Sequence, residues 1–186
     1  MTYEAEGLPA TLQVKELGLL ALGLIDKAVA RRDDDLEARR MKARALAFAG
    51  RHREARLLQK EILKVAPTYE QVLEEFVLYS IEVGDVQAAL APAAQAVGIN
   101  PSSPALHERL AYLHVQTKDW DGAMRESRES LRLDPFRRFA RMCLIESLLH
   151  GNDEAGAEAE LATLVGLNSE ECAGLEGWFA AKRKSR

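Results

Sequence analysis

The sequence predicts an all-α solenoid of repeated helix–turn–helix units, and three observations predict it. Pro67, Pro101 and Pro135 stand 34 residues apart. Asp85, Asp119 and Asp153 keep the same step, as do Ala55, Ala89, Ala123 and Ala157. Features that recur at one such interval mark a structural unit that stacks on copies of itself, with a core running lengthwise. No segment shows the alternation of a strand.

The elements follow in chain order. Residues 1–35 read as a degenerate half-repeat or cap. Within them Pro9 to Ala30 is one helix, with Ala21, Ile25, Ala28 and Val29 matching the second helix of a unit. Its apolar residues lie nearly all round, so it is buried on several sides or shared with another chain. The run Leu17 to Ile25 has no basic leader and is too short to span a bilayer, so no targeting segment is read and a cytoplasmic location is expected.

The first full unit covers 36–69, with Leu46, Gly50, Ala55, Ile62, Leu63 and Pro67 in register and Arg51 where later turns have aspartate. In the second, 70–103, Glu70 to Glu82 forms a helix with Leu73, Phe76, Val77 and Ser80 on one face. Gly84 and Asp85 break it. A second helix runs from Val86 to about Gly98, and Pro101 closes the unit because proline cannot continue a helix and biases Asn100 out of the helical basin. Pro92 should kink that helix.

The third unit, 104–137, opens with Ser103 as a cap and Pro104 in the first turn. Leu106, Leu110, Ala111 and His114 face inward, Lys118-Asp119 makes the turn, and Trp120 to Leu133 is the second helix. The fourth, 138–171, carries Leu144, Ile145, Leu148, Asp153, Ala157, Leu161, Leu164 and Val165, and has Ser169 in the proline position. Residues 172–186 complete a capping helix and a basic tail: Glu170 to Lys182 is helical, and Leu175, Trp178 and Phe179 cover the last unit.

Local chemistry supports the frame. Asp85, Asp119 and Asp153 each precede a second helix, where a carboxylate accepts from free backbone N–H groups and opposes the positive helix end. Thr68 to Gln71 fits a capping box. The alanines at 55, 89, 123 and 157 sit where two helices must approach closely, so a larger side chain would overpack.

The chain is 47% hydrophobic and 29% charged, too apolar for disorder. A net charge of −4 gives no bulk attraction to nucleic acid or anionic membrane, and neither is an expected partner. The charge is uneven: Arg39, Arg40, Lys42, Arg44, Arg51, Arg53 and Arg56 form a basic zone, and no Lys or Arg lies between Lys64 and Arg109. The zone lacks the interleaved aromatics of a single-strand binder. Cys143 and Cys172 have no metal-ligand or redox spacing and read as packing thiols.

These features resemble the tetratricopeptide repeat, a helix–turn–helix unit of 34 residues with the pattern W-x₂-L-G-x₂-Y, A-x₃-F, P. Leu110-Ala111, Trp120, Ala123 and Leu131-x-Leu133-Asp134-Pro135 carry the resemblance in the third unit. Phe76, Gly84, Ala89, Ala96 and Ile99-Asn100-Pro101 carry it in the second. His107 and His114 replace the aromatic Trp and Tyr. The resemblance implies a right-handed superhelix whose first helices line a concave groove.

By the same resemblance, the groove positions are Arg40, Arg44, Ala47 and Phe48 in the first unit and Glu74, Glu75, Leu78 and Glu82 in the second. In the third they are Glu108, Arg109, Tyr112 and Gln116, and in the fourth Met142, Cys143, Glu146 and His150. One subset of the family clamps a C-terminal carboxylate with Lys and Asn. Here Glu75 stands in the Asn position, where it should repel that ligand.

No catalytic residue, metal site or cofactor is expected. Nothing pairs a nucleophile with a base. His107 and His114 share one side of a helix but lack a third ligand and pack inside their unit. Glu74-Glu75 and Glu170-Glu171 are solvated or complement helix starts. The expectation is therefore a non-enzymatic scaffold holding a peptide segment of a partner. Arg40 and Arg44 would attract acidic groups, Glu74, Glu75 and Glu82 basic ones, and Phe48, Leu78, Tyr112 and Met142 would anchor apolar side chains, with Arg109 and Glu146 beside them. The alternatives are an oligomeric assembly or chaperone-like adaptor joined through the N-terminal helix, and the repeat module of a larger protein.

Overall fold

The computed structural model describes residues 10–29, 35–167 and 172–185. Among them are ten α-helices and no strand: α1 (Ala10–Val29), α2 (Leu36–Phe48), α3 (His52–Val65), α4 (Glu70–Glu82), α5 (Val86–Ile99), α6 (Pro104–Gln116), α7 (Trp120–Leu133), α8 (Arg138–His150), α9 (Glu154–Leu167) and α10 (Cys172–Lys184). The helices that start at 36, 70, 104 and 138 keep the 34-residue step. Of the expected features, Pro9, Ala30, the Ser169 junction and the Glu170-Glu171 pair lie outside the described residues.

One backbone device makes each turn. Gly50, Gly84, Lys118 and Asn152, again 34 apart, all have positive φ, from 61° to 78°. The next residue's N–H then reaches back to the helix: Arg51 to the Leu46 carbonyl, Asp85 to Ser80, Asp119 to His114, Asp153 to Leu148, all at 2.8–2.9 Å. The positive-φ residue itself bonds the carbonyl three residues back. This is the Schellman closure, which satisfies the last carbonyls of the first helix.

The helix starts differ from one another. The Asp119 and Asp153 carboxylates accept from Gly122 N and Gly156 N at 3.0 and 2.9 Å. The Asp85 carboxylate accepts from the Arg56 guanidinium of α3. Arg51, lacking a carboxylate, makes no side-chain cap and pairs with Glu54. Two capping expectations are corrected. The N-cap of α4 is Tyr69, not Thr68, and no side-chain capping bond forms there, because the helix begins one residue late for a box with Gln71. Ser103 does stand at the N-cap of α6, with Pro104 behind it, but its hydroxyl makes no capping bond. In α5 the helix continues through Pro92.

The chain divides into two compact units that meet in sequence between Asp85 and Val86, inside the 70–103 stretch. In the first unit α1 to α4 pack in sequence, each on the next. Leu22, Ala43, Ala45, Leu46, Ala55 and Tyr79 form the core. In the second, α7 to α10 bury Leu144, Ile145, Leu148, Leu149, Ala157 and Leu164, and α10 lays Leu175 and Phe179 onto them. Ala55, Ala89, Ala123 and Ala157 are all fully buried, as close helix approach requires.

Among the described residues no helix is long and apolar enough to cross a membrane.

Candidate functional site

In the first unit the groove positions of α2 and α4 face one another. Arg44, Ala47 and Phe48 from α2, Leu78 and Glu82 from α4, together with His52, Glu75 and Tyr79, line a cavity of about 400 Å³. Phe48 is 53% exposed and Leu78 41%, so two large apolar side chains stand at its surface beside the exposed Glu82.

The charges behind this surface are already matched. Arg40 bonds Glu37 at 2.9 and 3.0 Å and Glu75 at 2.5 Å. Its side chain is only 14% exposed. Gln59 donates to the other oxygen of Glu75, and Arg44 Nε lies 3.8 Å from the oxygen that Arg40 bonds. Bonds from Arg40 and from the Tyr69 hydroxyl hold the Glu37 carboxyl below the usual range. Burial pushes Glu75 above it, with Arg40 and Gln59 pulling the other way. Burial also pushes the Tyr79 phenol up to about 12. The structure therefore places Arg40 and Glu75 in one ion pair between α2 and α4. Neither offers an open charge to a ligand, and the repulsion expected from Glu75 has its counter-charge beside it. Arg44 keeps a partly exposed guanidinium. Glu74 is partly buried on α4.

In the second unit Arg109, Tyr112 and Gln116 lie on α6 and Met142, Glu146 and His150 on α8, and these helices pack together. Tyr112 is exposed, whereas Met142 packs against the α8–α10 core. Glu146 is bonded by Lys182 of α10 at 2.6 Å. His150 stacks on Trp120 with ring centres 3.8 Å apart and planes 7° from parallel. Gln116, Glu146, His150 and Lys182 share a second cavity, of about 540 Å³. Glu108 points to its own fold: it takes two bonds from Arg137 and one from the Ala140 N–H, and so caps α8, whose own N-cap residue makes no such bond. Cys143 is buried, and burial pushes its thiol up to about 12, so it is no nucleophile at neutral pH.

The histidines bind within the protein. His107 hydrogen-bonds with Glu126 through Nδ1 at 2.8 Å and with the Pro101 carbonyl through Nε2 at 3.0 Å, and His114 pairs with Asp119 at 2.8 Å. Among the described residues no group of three or more His, Cys, Asp or Glu could hold a metal ion.

Sequence reasoning missed His52, Tyr79 and Phe139. Tyr79 lies four residues from Glu75 and Phe139 three before Met142, spacings that put each on a neighbouring strip of the same helix face. Phe139 is 66% exposed.

No protein-family model matches the sequence, and no curated protein matches it. Solved structures do. MamA from Desulfovibrio magneticus RS-1 (residues 41 to the end) is 14% identical, with a TM-score of 0.77 over 89% of this chain and 99% of that one. YrrB, described as a TPR protein with an unusual peptide-binding site, is 14% identical, with a TM-score of 0.79 over 89% of this chain and 86% of that one. MamA MSR-1 is 16% identical, with a TM-score of 0.70 over 87% and 98%. Helix pairs in 34-residue step, the shared turn closure and these likenesses give the class: an all-α repeat protein. Its fold is that of the tetratricopeptide repeat.

Proposed function

We propose that this protein is a non-enzymatic interaction scaffold that binds a peptide segment of a partner protein on the first-helix faces. The carrying observation is the surface formed by Phe48 and Leu78 in the first unit; within the second unit Tyr112 is an exposed aromatic on α6. Large apolar side chains held at the surface above a matched ion pair are suited to anchoring side chains of another chain. The matched charges beneath, Arg40 with Glu75, keep that surface rigid and nearly neutral, so apolar anchors carry the affinity and Arg44 and Glu82 at the rim set ligand direction. The description of YrrB as peptide-binding supports the reading by likeness of fold.

The test is selection of a random peptide library on the full chain, followed by titration of the selected peptides. Phe48→Ala or the pair Arg44→Glu and Tyr112→Ala should weaken binding at least about tenfold, the value of one well-packed anchor. Selected peptides that bind all of these variants as tightly as the parent would overturn it. A second reading, self-association through α1, rests on a separate surface.

A further inference from the structure

Helix α1 is two-faced in an unusual sense, since both faces are apolar. One face packs on α2 through Gly18, Ala21, Leu22 and Ile25. The other carries Leu17, Leu20 and Leu24, which are 65%, 69% and 71% exposed. Their spacing of three and four residues is that of a helix–helix seam. Glu16 is exposed at one end of this seam and Lys27 at the other.

We propose that this face is closed by α1 of a second copy, packed antiparallel. Charge complementarity selects that occupant and that direction. With Leu20 of one copy against Leu24 of the other, Leu17 meets the aliphatic stem of Lys27, and Glu16 of each copy falls within one residue's rise of its partner's Lys27. The two-fold axis makes both ends identical, as an isologous contact demands. A parallel pair would set Glu16 on Glu16 and Lys27 on Lys27. The open flank at Gly23, where a methyl group would meet nothing within 4 Å, leaves room for the second helix to come close.

The experiment is sedimentation equilibrium on the full chain from low to high micromolar concentration, with and without phosphatidylcholine–phosphatidylglycerol vesicles. The expected result is a reversible dimer. Glu16→Lys should weaken it about tenfold by turning two attractions into repulsions, and adding Lys27→Glu should restore it. Leu20→Lys, at a position 69% exposed in the monomer, should weaken it at least about 100-fold by placing charges in the apolar seam. A strict monomer throughout overturns the proposal, and vesicle binding by that monomer would assign the leucine face to lipid. A dimer indifferent to Leu20→Lys and to the charge swap also overturns it, because its contact lies elsewhere. None of these readings depends on peptide binding by the other faces.

Discussion

Arg141 stands in the fourth repeat where His107 stands in the third, and the two side chains reach the same pair of acceptors. His107 bonds Glu126 and the Pro101 carbonyl. Arg141, 34 residues on, bonds Glu160 and the Pro135 carbonyl. Each ties the loop before a first helix to the second helix of the same unit. In the 70–103 stretch the matching sequence positions hold Leu73 and Pro92, so both polar partners are replaced together by apolar residues. Removing one partner should therefore cost more than replacing both. Arg141→Ala should lower stability by about 2 kcal/mol, because Glu160 loses its counter-charge, and Arg141→Leu with Glu160→Leu should recover most of that. Urea unfolding read by Trp120 and Trp178, both in the second unit, measures it.

The repeated positive-φ residue gives a second prediction. Lys118 and Asn152 adopt the conformation that Gly50 and Gly84 adopt without strain. Lys118→Gly should raise stability by about 1 kcal/mol, and Gly84→Ala should lower it by about 1–2 kcal/mol. Thermal unfolding of the single variants checks both signs.

Gly18 predicts how α1 is attached. A methyl group there would sit 2.5 Å from Ala49 N and 2.8 Å from Phe48 C, and backbone cannot yield as a side chain does. Gly18→Ala should push α1 off α2 at a cost of about 1–3 kcal/mol. Hydrogen exchange should then speed up along α1 while α6 to α9 keep their protection.

Burial of Cys143 makes a pH prediction. Its thiol is raised to about 12, so the folded chain holds that proton where the unfolded chain loses it near pH 8.5. This contribution to stability is complete below about pH 8.5 and is lost as the pH rises toward 12. In the native protein at pH 8, iodoacetamide should leave the Cys143 peptide unmodified, and urea should expose it to full alkylation.

The 34-residue step was legible because Pro67, Pro101 and Pro135 and the four alanines answer to backbone geometry, which tolerates few residue types. Helix limits followed: the bounds of α4 and α7 are those read from spacing alone. Charge was less legible. Arg40 and Glu75 are 35 residues apart, and nothing in a linear pattern says that a groove position will satisfy another groove position before it meets a ligand. Glu108 was hidden for the same reason, since its role is to cap the helix of the next unit. Capping was legible at Asp119 and Asp153, where the carboxylate sits in the turn. At Tyr69 a one-residue shift of the helix start was enough to empty the expected box.

Every Schellman closure completes its backbone hydrogen bonds within six residues of chain. Such a motif behaves as a cassette. Whole units of 34 residues can be copied or excised with the hinge chemistry intact, whereas a single residue slipped into the middle of α6 would swing every later side chain of that helix by about 100°. Growth or shortening of this chain by descent should therefore proceed in whole units, with loose changes of length gathering in the links between them.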